Sequence, residues 1–320
     1  MKTSAFFKIF PPPKFLEMPY AGMDISDSSI HCLMYRHTHL GLKVDRYGSK
    51  ELPRGLVEAG MIKDEKALTD IVKSLADELK ITYVKASLPE ERMYLFKTEV
   101  PNGTVSEIHE NIELRLDENV PFPPADAVFY FDLIRDLLPQ GKHTASVSVA
   151  PKKIVESYLS VLESAGLVPV SFEVVPKSLA RAIVPSSDTD TKLIIHLMDE
   201  KAGFYIVDEG VVLFTSTVPW DYAETGDGTS VETISAEMDK VYGYWSEHGQ
   251  GSGVSEIILC GHHASKVSAG LAISSRTLPK TRVADVWINA FSYNAYIPPI
   301  SRDESLQYAV AAGLALPKRR

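Results

Sequence analysis

Gly22-Met23-Asp24-Ile25-Ser26-Asp27-Ser28-Ser29-Ile30-His31-Cys32-Leu33-Met34-Tyr35 carries the pattern of a β-hairpin. A short apolar run meets a polar turn, and Ile30, Cys32 and Met34 then alternate with His31, Leu33 and Tyr35. With the run from Leu40 to Tyr47 beyond the polar Arg36-His37-Thr38-His39, residues 20–48 read as strands joined by turns. Leu68, Ile71, Val72, Leu75 and Leu79 form one helical stripe from Asp64 to Lys80, with Asp64 and Glu65 suiting its N-terminus. Tyr83 to Leu88 is a strand that stops at Pro89. Further on, a strand at Ser146–Ala150 leads into a helix, Lys152 to Ala165, capped by Gly166. The strand Val168–Val175 and the helix Pro176–Ile183 follow. After the break Pro185-Ser186-Ser187-Asp188 the opening theme returns as Leu193–Met198, Phe204–Val207 and Val211–Pro219. A helix over Val231–Trp245 and a buried strand, Glu256 to Gly261, complete the repeat.

Between the first helix and this second half lies a block of different texture, from about Glu91 to Gln140. It holds strand-like Met93–Val100, a polar helix over Val105–Asn119, the turn Pro121-Phe122-Pro123-Pro124 and strand-like Ala127–Leu133. The pattern predicts two α/β halves, each opening on a β-hairpin, with a small module inserted in the first. The expected division is an arm at 1–19, a first lobe at 20–90 and 141–187, an insert at 91–140 and a second lobe at 188–320. Ligands of such folds sit between the halves. Residues 262–300 carry no periodicity that assigns an element.

Composition narrows the classes. The 320 residues are 45% hydrophobic and 23% charged, which supports a packed core and excludes a disordered chain. A net charge of -9 argues against nucleic acid, whose binding needs a basic face. Cys32 and Cys260, both in apolar runs, make neither a disulfide framework nor a thiolate zinc site, and fit a reducing compartment. No run approaches the roughly 18 apolar residues of a membrane span, so the expected location is the cytoplasm. At the N-terminus Phe6, Phe7, Ile9, Phe10, Phe15 and Leu16 mix with Lys2, Lys8 and Lys14 around Pro11-Pro12-Pro13. The triple proline forbids a continuous amphipathic helix, so an arm packed on its own domain is expected ahead of a membrane anchor.

The opening hairpin resembles the first phosphate hairpin of the actin-like ATPase superfamily. Further phrases, in order along the chain, resemble the type IV pilus assembly protein PilM family. They are Leu52-Pro53-Arg54-Gly55-Leu56-Val57-Glu58-Ala59-Gly60-Met61-Ile62-Lys63-Asp64, Ala86-Ser87-Leu88-Pro89-Glu90, Glu118-Asn119-Val120-Pro121-Phe122-Pro123, Val149-Ala150-Pro151-Lys152 and Leu162-Glu163-Ser164-Ala165-Gly166-Leu167-Val168-Pro169. The similarity runs from about Ala21 to Leu316. PilM is similar in turn to FtsA, whose small first-lobe insert matches the block at 91–140. The resemblance implies an α/β, two-lobed actin-like (ribonuclease H-like) fold. It also implies a cytoplasmic adaptor under the inner membrane, bound to the short tail of a PilN-like single-pass membrane protein. Pilus ATPases and self-association are further partners in view. ATP or ADP with Mg²⁺ would lie between the lobes. An FtsA-like membrane tether and a small-molecule kinase of the superfamily are the alternatives.

For that cleft the resemblance points to Asp24, Ser26, Asp27, Ser28 and Ser29 on the first hairpin. Asp24 would hold Mg²⁺ through water, while Ser26 replaces a customary glycine and Asp27 adds negative charge near the phosphates. On the second hairpin His196-Leu197-Met198 stands where the superfamily reads Asp, an apolar residue and Gly. The second acid is therefore expected to be missing, and hydrolysis is not expected. Gly261 keeps the adenosine loop, Glu237 and Lys240 match ribose-holding positions, and Glu173 matches the connecting segment near the cleft. His262 and His263 replace further glycines. As sequence neighbours they are expected to point apart and not to share a metal. His37-Thr38-His39 reads as a solvated turn, and Asn102-Gly103-Thr104 as a turn. For the partner tail, Tyr94, Phe96, Phe122, Phe129 and Phe131 could line a groove between the insert and the first-lobe sheet; packing of the insert's own core is the simpler expectation.

Overall fold

The polar turn at Ser26–Ser28 folds two apolar strands onto each other, β1 (Ala21–Ile25) and β2 (Ser29–Thr38), with Ile25 opposite Ile30. β3 (Gly41–Glu51) continues the antiparallel meander. The computed structural model describes residues 19–39, 41–134, 142–220, 222–249, 253–268 and 279–317, with side chains except at 222–230. Residues 1–18 of the expected arm at 1–19 lie outside the described residues.

A short ribbon, β4 (Val57–Glu58) and β5 (Met61–Ile62), leads to α1 (Glu65–Leu79). The Asp64 side chain accepts from the Ala67 amide and caps α1, whose apolar stripe buries Leu68, Val72 and Leu75. β6 (Tyr83–Leu88) then runs parallel to β1. The inserted block supplies β7 (Tyr94–Pro101), α2 (Val105–Glu113), α3 (Leu116–Asn119), β8 (Ala127–Ile134) and β9 (Lys142–Pro151). Thr104 and Glu107 form a capping box at the start of α2. The predicted single helix over 105–119 breaks before α3, where Arg115 reaches back to the Thr98 hydroxyl and the Glu99 carbonyl. β9, read on the sequence as the resumption of the first lobe, is the central strand of the small sheet, in the order β7-β9-β8. α4 (Lys152–Ser164), β10 (Val168–Val174) and α5 (Val175–Ile183) follow.

The second half repeats the scheme. β11 (Lys192–Leu197), β12 (Lys201–Asp208) and β13 (Val211–Pro219) form a meander. α6 (Tyr222–His248), β14 (Glu256–Cys260), β15 (Lys280–Val283), α7 (Arg302–Ser305) and α8 (Ala309–Ala315) complete the chain. The strand orders are β3-β2-β1-β6-β10 and β13-β12-β11-β14-β15. In each sheet the meander is antiparallel and the last two strands run parallel to the first. The duplication read from the sequence is thus a duplication of strand order and sense.

One face of the first sheet packs on α1 and α4 through Leu68, Val72, Tyr158 and Leu162. Its other face joins α5, α8 and the second sheet in one continuous core. That shared core requires α8 to come very close. A Cβ on Gly22 would fall 2.0 Å from the Ala311 carbonyl oxygen, and one on Gly313 would fall 1.8 Å from that of Ser178. Arg181 Nη1 donates to the Gly313 carbonyl at 2.8 Å and fixes the crossing. Gly22→Ala is therefore expected to cost on the order of 3 kcal/mol or more in a denaturant titration, since backbone must move. Gly166→Ala, with open space around it, should cost less despite its φ of +82°.

Candidate functional site

The tips of the two hairpins, Ser26–Ser28 and Met198–Glu200, face each other across a cleft of about 400 Å³. Ser28 Oγ donates to Asp199 Oδ2 at 2.9 Å, so the lobes touch directly at this point. Gly261 follows β14 with φ +94°, and a Cβ there would lie 2.3 Å from the Leu197 carbonyl oxygen. Only glycine allows that turn, which delivers His262 and His263 to the same carboxylate. His262 Nδ1 is 3.3 Å and His263 Nε2 2.9 Å from Asp199 Oδ1, and the two rings stack at 4.7 Å. This corrects the expectation that the neighbouring imidazoles diverge. They occupy a turn that enters a helical segment at Ala264, where successive side chains are about 100° apart, unlike the opposed faces of a strand. Hydrogen bonds from His262, then His263, hold the Asp199 carboxyl well below the usual range, and Asp199 in turn raises His262.

Asp199 was not singled out by its sequence. Asp24 is the second-last residue of β1, and His196 takes the same place in β11. Matching by position finds a histidine there, while an acid stands in the following turn. Asp24 itself is buried and accepts from Ser87 Oγ at 2.7 Å, while Ser87 Oγ accepts from the Ile25 amide. Burial pushes its carboxyl up to about 6 against the lowering effect of Ser87. His196 is pushed down to about 3 by burial, and its Nδ1 has no hydrogen-bond partner. His31, pushed down to about 4 by burial, lies between Ser29 and Gln307. A void of about 40 Å³ separates Asp24, His31, His196 and Gly261.

Asp27 turns toward the first lobe. Its Oδ1 accepts from the Gly60 amide at 3.0 Å and its Oδ2 from the Ala59 amide at 3.2 Å, steadying two residues with positive φ. Lys201, at the start of β12, pairs with Asp27 at 3.3 Å and with Glu91. Tyr205 OH donates to Glu90 Oε1 at 2.7 Å. Burial, then the Glu91 charge, pushes Glu90 up to about 7. Burial alone would lower the Lys201 ammonium, and Glu90, Glu91 and Asp27 outweigh it, holding it above the ordinary lysine range. Sequence reading missed this cluster; its signal was the acidic pair after Pro89, whose cation lies 110 residues away.

The other candidates are dispersed. The structure brings Asp24, Ser26, Asp27, Ser28, Ser29 and Gly261 to the cleft and its floor. Glu173 instead pairs with Arg181 at 2.5 Å, in a separate pocket of about 320 Å³ with Asp132 and Lys177. Glu237 accepts from Ser216 Oγ at 3.4 Å and pairs with Lys240, away from the cleft lining, because α6 turns Ile234, Met238 and Val241 inward. Of the five aromatics, Phe96, Phe122, Phe129 and Phe131 pack on the insert's own core of Val100, Ile108, Ile112 and Val147, and Tyr94 sits edge-on to Phe122. The groove between the insert and the first lobe does exist, at about 230 Å³. It is lined by Val128, Phe129 and Tyr130 of β8 and by Leu88, Met93, Val155 and Phe172.

Two sheets of identical strand order, a cleft bounded by two hairpin turns and a helix that returns across the first sheet define an actin-like ATPase fold. The sequence profile of the family described as type IV pilus assembly protein PilM matches residues 22–217, more than half of the chain, and the protein belongs to that family. Among solved structures the chain is similar to the PilM-PilN type IV pilus biogenesis complex, with 18% identity, 93% of this chain and 98% of that chain covered and a TM-score of 0.78. It is also similar to ethanolamine utilization protein EutJ from Carboxydothermus hydrogenoformans, with 13% identity, 95% and 90% covered and a TM-score of 0.52. Comparison with curated proteins gives no match. Among the described residues, no helix is long and apolar enough to cross a membrane.

Two outcomes follow from the buried charges. Asp24 has a raised pKa in the folded state, so the contribution of this group to stability is fully present below about pH 4 and is lost as pH rises through about 6. Asp24→Asn keeps the acceptor for Ser87 and should stabilise the protein by about 2–3 kcal/mol at pH 7.5 while changing little at pH 4. Equal effects at both pH values in urea titrations would contradict this. Lys201→Met should cost about 3–5 kcal/mol at pH 7.5, because Glu91 and Asp27 lose their buried cation.

Proposed function

We propose that this PilM-family protein is a cytoplasmic scaffold of the type IV pilus inner-membrane platform, or of a related competence or secretion system. It holds the short cytosolic tail of a PilN-like single-pass membrane protein, and through that tail lies peripheral to the inner membrane. The observation that carries the reading is the apolar groove beside the insert. β8 is the edge strand of the small sheet and β10 the edge strand of the first-lobe sheet, and residues of both border the groove. An extended tail can pair with an unpaired strand edge and seat alternate apolar side chains among Leu88, Met93, Val128 and Phe172. The structural likeness to a PilM-PilN complex supports a partner of this kind.

The cleft is read as a degenerate nucleotide site. A phosphate cradle presents backbone N–H groups and a metal. Here Ser28 and Asp199 join the two tips, the Asp199 carboxylate would face the phosphate oxygens, and Met198 lines the floor. Asp24 is the residue that would hold Mg²⁺ through water, yet one of its oxygens is engaged by Ser87. These residues do not fit a Mg-nucleotide held in the manner of the superfamily, and no hydrolytic step is assigned.

The test uses fluorescence anisotropy with a labelled peptide of the PilN-like tail. Val128→Arg, at a position 43% exposed, and Phe172→Asp should each weaken binding about tenfold or more, a loss of about 1.4 kcal/mol or greater. Unchanged affinity in both would remove the groove from the proposal. ATP turnover above the buffer rate, lost in Asp24→Asn, would overturn the scaffold reading.

A further inference from the structure

We propose that Asp199, His262 and His263 form a binding site for a single zinc-class transition-metal cation at the mouth of the interlobe cleft. Asp199 Oδ1, His262 Nδ1 and His263 Nε2 all lie within 4.8 Å of one another, and both nitrogens are directed at the same carboxylate oxygen. Ligands at about 2.0–2.1 Å from a tetrahedral ion stand about 3.3 Å apart. The observed 3.3 Å from His262 to Asp199 equals such an edge, and the 2.9 Å from His263 is about 0.4 Å shorter, so a small outward shift of the carboxylate seats the ion. His263 is fixed, its ring edge-on to Trp220 at 5.7 Å, whereas His262 is exposed enough to rotate and close the third edge.

The surroundings orient the donor set. Ser28 Oγ engages Asp199 Oδ2, leaving Oδ1 to face the imidazoles, as outer-shell partners of metal ligands do. Gly261 sets the turn that puts both rings on one side. The fourth position opens into the cleft, where water completes the shell. Two imidazoles and one carboxylate favour zinc, with copper and nickel next in chemical kinship; magnesium demands oxygen ligands and is rejected. Because Ser28 belongs to the first lobe, the bound ion braces the contact between the lobes. Binding requires both histidines to be neutral and releases the proton from whichever is charged.

The experiment takes the full chain, stripped with a chelator, and titrates it with Co²⁺ as an optical probe and with Zn²⁺ by calorimetry. One equivalent of Co²⁺ should give the intense visible bands of a tetrahedral site, and Zn²⁺ should abolish them. His262→Ala and Asp199→Asn should each weaken Zn²⁺ at least a hundredfold, and Ser28→Ala about tenfold. Circular dichroism and tail-peptide binding should be unchanged in His262→Ala, whose side chain is exposed. Octahedral-type Co²⁺ bands, or Zn²⁺ affinity equal in wild type and all three variants, would overturn the site, and the second result would send the metal elsewhere, such as His37 and His39. Tail binding is scored separately, so this site and the groove fail independently.

Discussion

Lys201 governs how the two lobes meet. Its ammonium is held between Asp27 of the first hairpin and Glu91 beyond β6, and Glu90 lies close enough to contribute to its charge state. The apolar core beneath, shared by α5, α8 and the second sheet, is non-directional and does not by itself set the register of the hairpin tips. A desolvated cation among acids does, because displacing it leaves charges unpaired in a poorly solvated place. The lobes are therefore joined by two unlike devices. Below, Gly22 and Gly313 let α8 approach until backbone meets backbone. At the rim, Lys201 and the Ser28–Asp199 bond fix the register of one hairpin against the other.

The rim that gives the lobes their register also changes the chemistry of the cleft. The two hairpin tips face each other through side chains. Asp27 is directed to the amides of Ala59 and Gly60, and Asp199 to the hydroxyl and the imidazoles. Each carboxylate is already satisfied by the protein. The charge of the cleft thus serves as structural glue, and His196, one of the described residues whose buried side chain keeps an unpartnered polar atom, lies at the floor next to a void of about 40 Å³.

The sequence was readable wherever the physics is local. Periodicity located the hairpins and the helices α1, α4 and α5 closely, and the recurrence of the meander revealed the duplication. Pairing between distant strands is not encoded locally, so β9 joined the lobe that follows it in the chain when its ladder partners are β7 and β8. The site was legible on the first hairpin and lost on the second. There, matching by position stopped at His196, and the acid of the turn, Asp199, went unremarked. Glu237 and Lys240 were placed by analogy, and the inward stripe of α6 carries them to the Ser216 side. The aromatics of the insert followed the ordinary rule that alternate strand residues face opposite ways. Phe129 and Phe131 fill the module while Val128 and Tyr130 face the groove.

The groove and the cleft are not remote from each other along the backbone. Leu88 and Met93 line the groove, and between them Glu90 and Glu91 hold Tyr205 and Lys201 of the second lobe. The turn at Glu90–Arg92 is short, and the Arg92 side chain is bonded to the Ala59 carbonyl, beside the amides that Asp27 engages. A tail in the proposed groove would therefore press on a segment whose other face carries the charges that set the lobe register. Local displacement there would act on buried ionic contacts, which have few alternative arrangements, and these contacts confine such a displacement to small amplitude. The second lobe thus buttresses the first-lobe surface beside the groove through Lys201 and Tyr205.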